Sequence, residues 1–135
     1  MGNTALALTG FVGWTLALLI LMEAIRSYMV LSGKVPSNGF QPDNANLSPF
    51  MQRLARAHLN CLEGLPVFGG LMAIALMTDR TAVTDPLALW LLLARIVQSC
   101  IHLASLGIWA VNFRFAAFFV QIAIGVWWSL RLLAG

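Results

Sequence analysis

Within the segment QRLARAHLNCLEGLP, Arg53, Arg56, Asn60 and Glu63 carry groups that could bind a small ionic ligand. At about 100° per residue they fall within an arc of ~80°, so a helix here presents two guanidinium groups, an amide and a carboxylate on one face. Arg56 and Asn60 are spaced i,i+4, and Asn60 and Glu63 i,i+3, spacings at which helical side chains meet. Guanidinium forks match carboxylates through paired hydrogen bonds, Glu63 accepts from an ammonium, and Asn60 serves either. The set therefore suits an anionic zwitterion with more than one carboxylate. The plainer alternative is a buried Arg56–Glu63 pair, bridged by Asn60, that only sets helix register.

A second set answers the first. Arg95, Gln98 and His102 stand at i, i+3 and i+7 and share an arc of ~60°. Gln121, Gly125 and Ser129 repeat at fourfold spacing and read as a close helix-packing seam. Cys61 and Cys100 read as small buried hydrophobes, and no metal site is expected.

These polar groups sit in a chain that lipid must solvate. Of its 135 residues, 60% are hydrophobic and 10% charged, and the mean hydropathy is +0.84. Thirteen charged side chains, eight Lys and Arg with five Asp and Glu, cannot cover a soluble domain of this size. The small, scattered positive charge gives no nucleic-acid footprint. A bilayer core of ~30 Å needs about 20 apolar residues as a helix.

Four such runs make an all-α, integral membrane four-helix bundle, a single transmembrane domain over residues 1–135. The expected helices cover about 4–32, 48–78, 86–109 and 114–133, with a polar loop at about 33–47. The first run lacks a basic leader and continues into Glu23 and Arg26, so it reads as retained and not as a signal peptide. Ser48 followed by Pro49 is an N-cap with proline at the first helical position. Pro66 should bend the second helix, because it removes an N–H and meets the carbonyl of Leu62. Thr78–Asp85 reads as a turn, Pro86 as the start of the third helix, and Val111–Arg114 as the last break. Arg95 then lies about nine residues, or ~14 Å, into its helix, where an arginine must face protein or water.

Arg26, Lys34, Arg53 and Arg114 flank the first and third loops, against Arg80 and Arg131 on the opposite side. That bias places loops one and three in the cytoplasm and both termini outside. With neither a retention signal nor a transit peptide, a bacterial inner membrane is the expected location.

The pattern Arg53-x-x-Arg56-Ala57-His58-x-Asn60-x-x-Glu63-x-x-Pro66 resembles the second helix of the MAPEG family, membrane-associated proteins in eicosanoid and glutathione metabolism. Four spans, the chain length, the long first loop and an arginine deep in the third helix support the resemblance. It implies a homotrimer with the second helix lining its centre and glutathione held between subunits. It further implies glutathione contacts at Arg53, Arg56, Asn60 and Glu63, a thiolate-stabilising catalytic arginine for which Arg114 is the match, and Arg26 joining from the first helix. Arg95, Gln98 and His102 would complete the pocket. One departure stands out: members with activity carry tyrosine seven residues after the third-helix arginine, where this chain has His102, and Tyr28 is its only tyrosine.

The reading that follows is a glutathione-dependent membrane transferase or peroxidase acting on lipophilic electrophiles that enter from the bilayer. A non-catalytic protein of the same fold that binds a lipid or thiol is the alternative, favoured by the absent tyrosine. A small proton-coupled multidrug exporter using Glu63 is the remote third, since two arginines on the same face repel a cationic drug.

Overall fold

In lipid a backbone must satisfy its own hydrogen bonds, and each uncharged run does so as a helix. The computed structural model describes residues 1–135 and contains α1 (Asn3–Leu31), α2 (Pro49–Gly64), a π-helical turn (Leu65–Gly69), α3 (Gly70–Met77), α4 (Thr81–Ala104) and α5 (Ile108–Leu133). The segment from Pro49 to Met77 is one continuous span, and it, α1, α4 and α5 are each long and apolar enough to cross a membrane. There are no strands.

Helix ends follow local chemistry. The Ser48 hydroxyl accepts from the Met51 N–H at 3.3 Å, with Pro49 in the first turn. Where a bend is expected at Pro66 the structure has a π-helical turn, whose wider coil accommodates a ring that has no N–H to give. Two boundaries differ from the sequence reading. The third span begins at Thr81, five residues before Pro86, which lies inside α4. Asp85, expected in the turn, is instead held within the helix as acceptor for the Thr4 N–H at 2.9 Å and the Thr4 hydroxyl. The last break is Ser105–Gly107 rather than Val111–Arg114, so Arg114 stands on the second turn of α5. Gly107 supplies the extended residue before that helix, and its N–H is met by the Ser105 hydroxyl at 2.9 Å.

α4 is the central element, packed by α1, α2 and α5, while α5 meets the second span at α3. Two apolar clusters result. One joins Ala7, Phe11, Phe68, Met72, Ala88, Leu91, Ile124 and Trp128; the other joins Leu18, Met22, Met51, Leu54, Ala55, Ala57 and Cys61. A polar layer of Arg95, Gln98, Ser99, His102 and Gln121, all buried, interrupts them. Only 28 of 135 residues are buried within the protomer, so most of its apolar surface is left for lipid or for other subunits.

Two arginines hold helix ends. Arg53 Nε donates to the Leu103 carbonyl at 2.9 Å, and Arg80 donates to the carbonyls of Leu132 and Arg131 at 2.6 and 2.9 Å. Each places a cation on a helix C-terminus, where the macrodipole favours it.

Candidate functional site

The stripe on α2 forms as its spacing requires, and it faces outward. Arg56 and Glu63 are exposed, while Arg53 and Asn60 are half-buried. The protein's one ion pair joins Arg26 to Glu23 at 3.2 Å. The alternative of a buried Arg56–Glu63 pair bridged by Asn60 is therefore excluded within the protomer. An exposed guanidinium and carboxylate on a membrane span leave charge without a partner, which lipid does not tolerate.

Asn60 and His102 connect the two polar sets, with Asn60 Nδ2 3.3 Å from His102 Nδ1. His102 is buried, and its Nε2 has no partner. The cations whose fields act on it are Arg114 of α5 and Arg56 and Arg53 of α2, so two spans bring arginines toward the histidine of a third. Arg114 is half-buried there. Below the histidine Cys61 Sγ and Ser99 Oγ approach to 3.2 Å, tying α2 to α4.

A cavity of about 550 Å³ opens beside the stripe, lined by parts of the second span, α4 and α5. Asn60, Glu63, Arg95 and Gln98 supply its polar lining, and Val67, Phe68, Phe118, Ile122 and Val126 much of its apolar wall. α5 packs along α4 and meets the second span at α3 and, where Phe68 lies against Gly125, at the π-helical turn. A volume of this size, apolar with a few converging polar groups, suits a small organic ligand.

The sequence reading missed the aromatic walls and took Gln121 only for part of a helix-packing seam. Gln121 is fully buried and donates to Gln98 Oε1 at 2.9 Å and to the Ala117 carbonyl at 3.1 Å. A glutamine in an apolar span is itself a signal of interior function, and the fourfold packing pattern obscured it. At Gly64 a Cβ would stand 2.7 Å from Arg95 Nη2, so the absent side chain lets the guanidinium extend toward α2. Cys100 is exposed, against the buried position expected for it.

Arg26 lies elsewhere. Its guanidinium donates to Asn44 Oδ1 through Nε at 3.1 Å and also through Nη2, to the Gln41 carbonyl at 3.1 Å and to Glu23 at 3.2 Å. Asn44, fully buried with φ of 57°, donates in turn to the Met51 carbonyl at 2.8 Å. The arginine expected from the first helix is thus engaged in securing the first loop. No group of three or more His, Cys, Asp or Glu is placed to hold a metal.

The chain thus forms a four-helix membrane bundle with charged and amide groups beside an apolar chamber. The chain belongs to the MAPEG family, whose model matches residues 4–134. Comparison with curated proteins and with solved structures returns no significant match.

Proposed function

We propose that the protein is a glutathione-dependent membrane enzyme, a transferase or peroxidase that acts on lipophilic electrophiles reaching it through the bilayer. The observation that carries this reading is the juxtaposition of an outward-facing ionic stripe with an apolar chamber of membrane depth. Arg56 and the two Nη groups of Arg53 would take carboxylates of the tripeptide, Glu63 would accept from its ammonium, and Asn60 with His102 would hold the peptide part. The donor set fits such a ligand: it contains more cations than anions, and Arg56 and Glu63 have no partner within the protomer.

Glutathione supplies the chemistry as a thiol nucleophile. Arg114 stands with the other cations near His102, and a guanidinium beside a thiol favours the reactive thiolate. Arg95 and Gln98 form the inner wall of the chamber, where the lipophile would lie. Arg26 would contribute by fixing the loop above the site. The exposed charges of α2 supply a physical reason for assembly, because a homotrimer with the second span at its centre would remove Arg56 and Glu63 from lipid.

The test is glutathione binding to detergent-purified protein, read by calorimetry and by the ultraviolet difference spectrum of a bound thiolate. Arg56→Ala and Glu63→Ala should each weaken binding at least tenfold. Arg114→Ala should keep binding and lose the thiolate signal. Unchanged binding in the first two variants excludes this placement. His102 in the place of the family's tyrosine favours a second reading, saturable binding of a thiol or lipid without turnover. Binding with no thiolate in the wild-type protein would select that reading.

A further inference from the structure

At the opposite end of the bundle from the ionic stripe, the first turns of α4 and the last turns of α5 enclose a groove of about 300 Å³. Its floor is apolar, because Ala82, Val83, Pro86 and Leu87 stand at i, i+1, i+4 and i+5 and so share one helix face. Trp127 and Arg131, one turn apart on α5, form the other side. Arg131 is exposed, and its guanidinium carbon stands 5.4 Å from the centroid of the Trp127 ring, so the ring holds the cation at the groove. With 26 residues, α5 spans ~39 Å, more than the ~30 Å hydrocarbon core. Arg131 lies two residues from the end of that helix, at the level of lipid phosphates, where an arginine and a tryptophan together meet the interface.

Arg80 adds a second cation beside the first, since its two Nη atoms donate to the carbonyls of Leu132 and Arg131 at 2.6 and 2.9 Å. No carboxylate neutralises the two. The protein's one ion pair joins Arg26 to Glu23, Asp85 receives the N–H and hydroxyl of Thr4, and Asp79, in the turn before α4, lies outside the groove. Pro86 contributes in another way: it has no N–H, so Ala82 at the groove keeps a carbonyl without its i+4 donor. A phosphodiester matches the guanidinium fork. A hydroxyl or an ammonium behind the phosphate would match the carbonyl, and two uncompensated cations disfavour the ammonium. Val83, Leu87 and Trp127 match an acyl chain.

We propose that this groove binds an anionic glycerophospholipid with a hydroxyl-bearing head, phosphatidylglycerol in kind. The phosphate lies on Arg131, a head hydroxyl on the Ala82 carbonyl, and an acyl chain along Leu87 and Trp127. Val83 of the groove and Leu103, whose carbonyl accepts from Arg53, are ~30 Å apart along α4. The lipid site is therefore separate from the ionic stripe and does not rest on the functional reading above. A lipid held there bridges α4 to α5 at the same end as the contacts of Arg80.

The experiment is native mass spectrometry of the delipidated full chain in maltoside micelles, titrated in turn with phosphatidylglycerol, phosphatidylethanolamine and phosphatidylcholine of the same acyl chains. Phosphatidylglycerol should bind about tenfold tighter than phosphatidylcholine, the discrimination of one charge-assisted contact. Arg131→Met should abolish that difference. Ala82→Trp, at an exposed position of the groove, should weaken all three lipids, which keeps the test decisive if Arg131→Met does not fold. Lys34→Met removes the same unit of charge from the first loop and should leave the preference intact. A loss of preference in Lys34→Met as large as that in Arg131→Met overturns the proposal by making selectivity a matter of net charge. Equal binding of phosphatidylglycerol and phosphatidylcholine by the wild-type protein also overturns it. Phosphatidylethanolamine bound as tightly as phosphatidylglycerol overturns it in favour of a zwitterionic head, and displacement of the lipid by inorganic phosphate overturns it in favour of a free anion.

Discussion

Arg53 illustrates how one side chain can hold two positions at once. Its Nε caps α4 at Leu103, and the remaining guanidinium nitrogens stay available beside Arg56. Arg53→Gln should remove the cap and lower stability by about 0.5–1 kcal/mol, the worth of a cation at a helix C-terminus. Thermal unfolding in maltoside micelles checks this, and an unchanged midpoint would show the cap to be idle. The Gln98–Gln121 pair obeys a different rule. Gln121→Leu leaves Gln98 Oε1 buried without a donor and should cost about 1–3 kcal/mol, whereas the double variant with Gln98→Leu removes both partners and should recover most of the loss. A double variant less stable than either single one would show that the pair is worth more than its desolvation.

At the scale of elements, the first loop and the π-helical turn set the shape of the site. Asn44 adopts a left-handed backbone that asparagine tolerates, and its side chain ties Arg26 of α1 to the start of α2. Asn44→Ala loses the hydrogen bonds and strains the backbone; Asn44→Gly loses the hydrogen bonds alone. Limited proteolysis within residues 33–47 should therefore speed up in both variants, and more in the alanine one. Equal resistance to the protease in all three proteins would mean that the loop is held by other contacts. Ser48→Ala should cost ~1 kcal/mol, the usual worth of an N-cap. Ser48 and Pro49 were legible as a helix start because capping is local chemistry. Pro86 misled for the same reason: its local preference for a helix start is overridden by Thr4 and Asp85, whose hydrogen bonds join residues 81 positions apart.

For the whole molecule, unpartnered charge decides. Arg56 and Glu63 are exposed on a membrane span, and a single protomer buries 28 of its residues. Native mass spectrometry from maltoside should give a trimer, and Glu63→Lys, which adds repulsion on the same face as Arg56, should shift it toward monomer. A wild-type monomer would leave the stripe facing lipid and remove the assembly argument. Sidedness is open to an equally direct check. In right-side-out vesicles, a Ser37→Cys protein lacking both native cysteines should resist an impermeant maleimide until the vesicles are opened, because the first loop is expected in the cytoplasm.

Lipid as solvent, four helices and the ionic stripe of α2 follow from composition and spacing, since hydropathy and the 100° rotation per residue are properties of the chain alone. Whether Arg56 pairs with Glu63 is not such a property: both lie on one helix face, yet their side chains turn outward and stay apart, a matter of what packs beside them. The same holds for Arg26, drawn from the site by Asn44, and for Arg95, whose chamber lies between the second span, α4 and α5 and whose guanidinium extends toward α2 where Gly64 has no side chain. Spacing within a helix is written in sequence; the gap between helices is made by packing residues that are far apart along it.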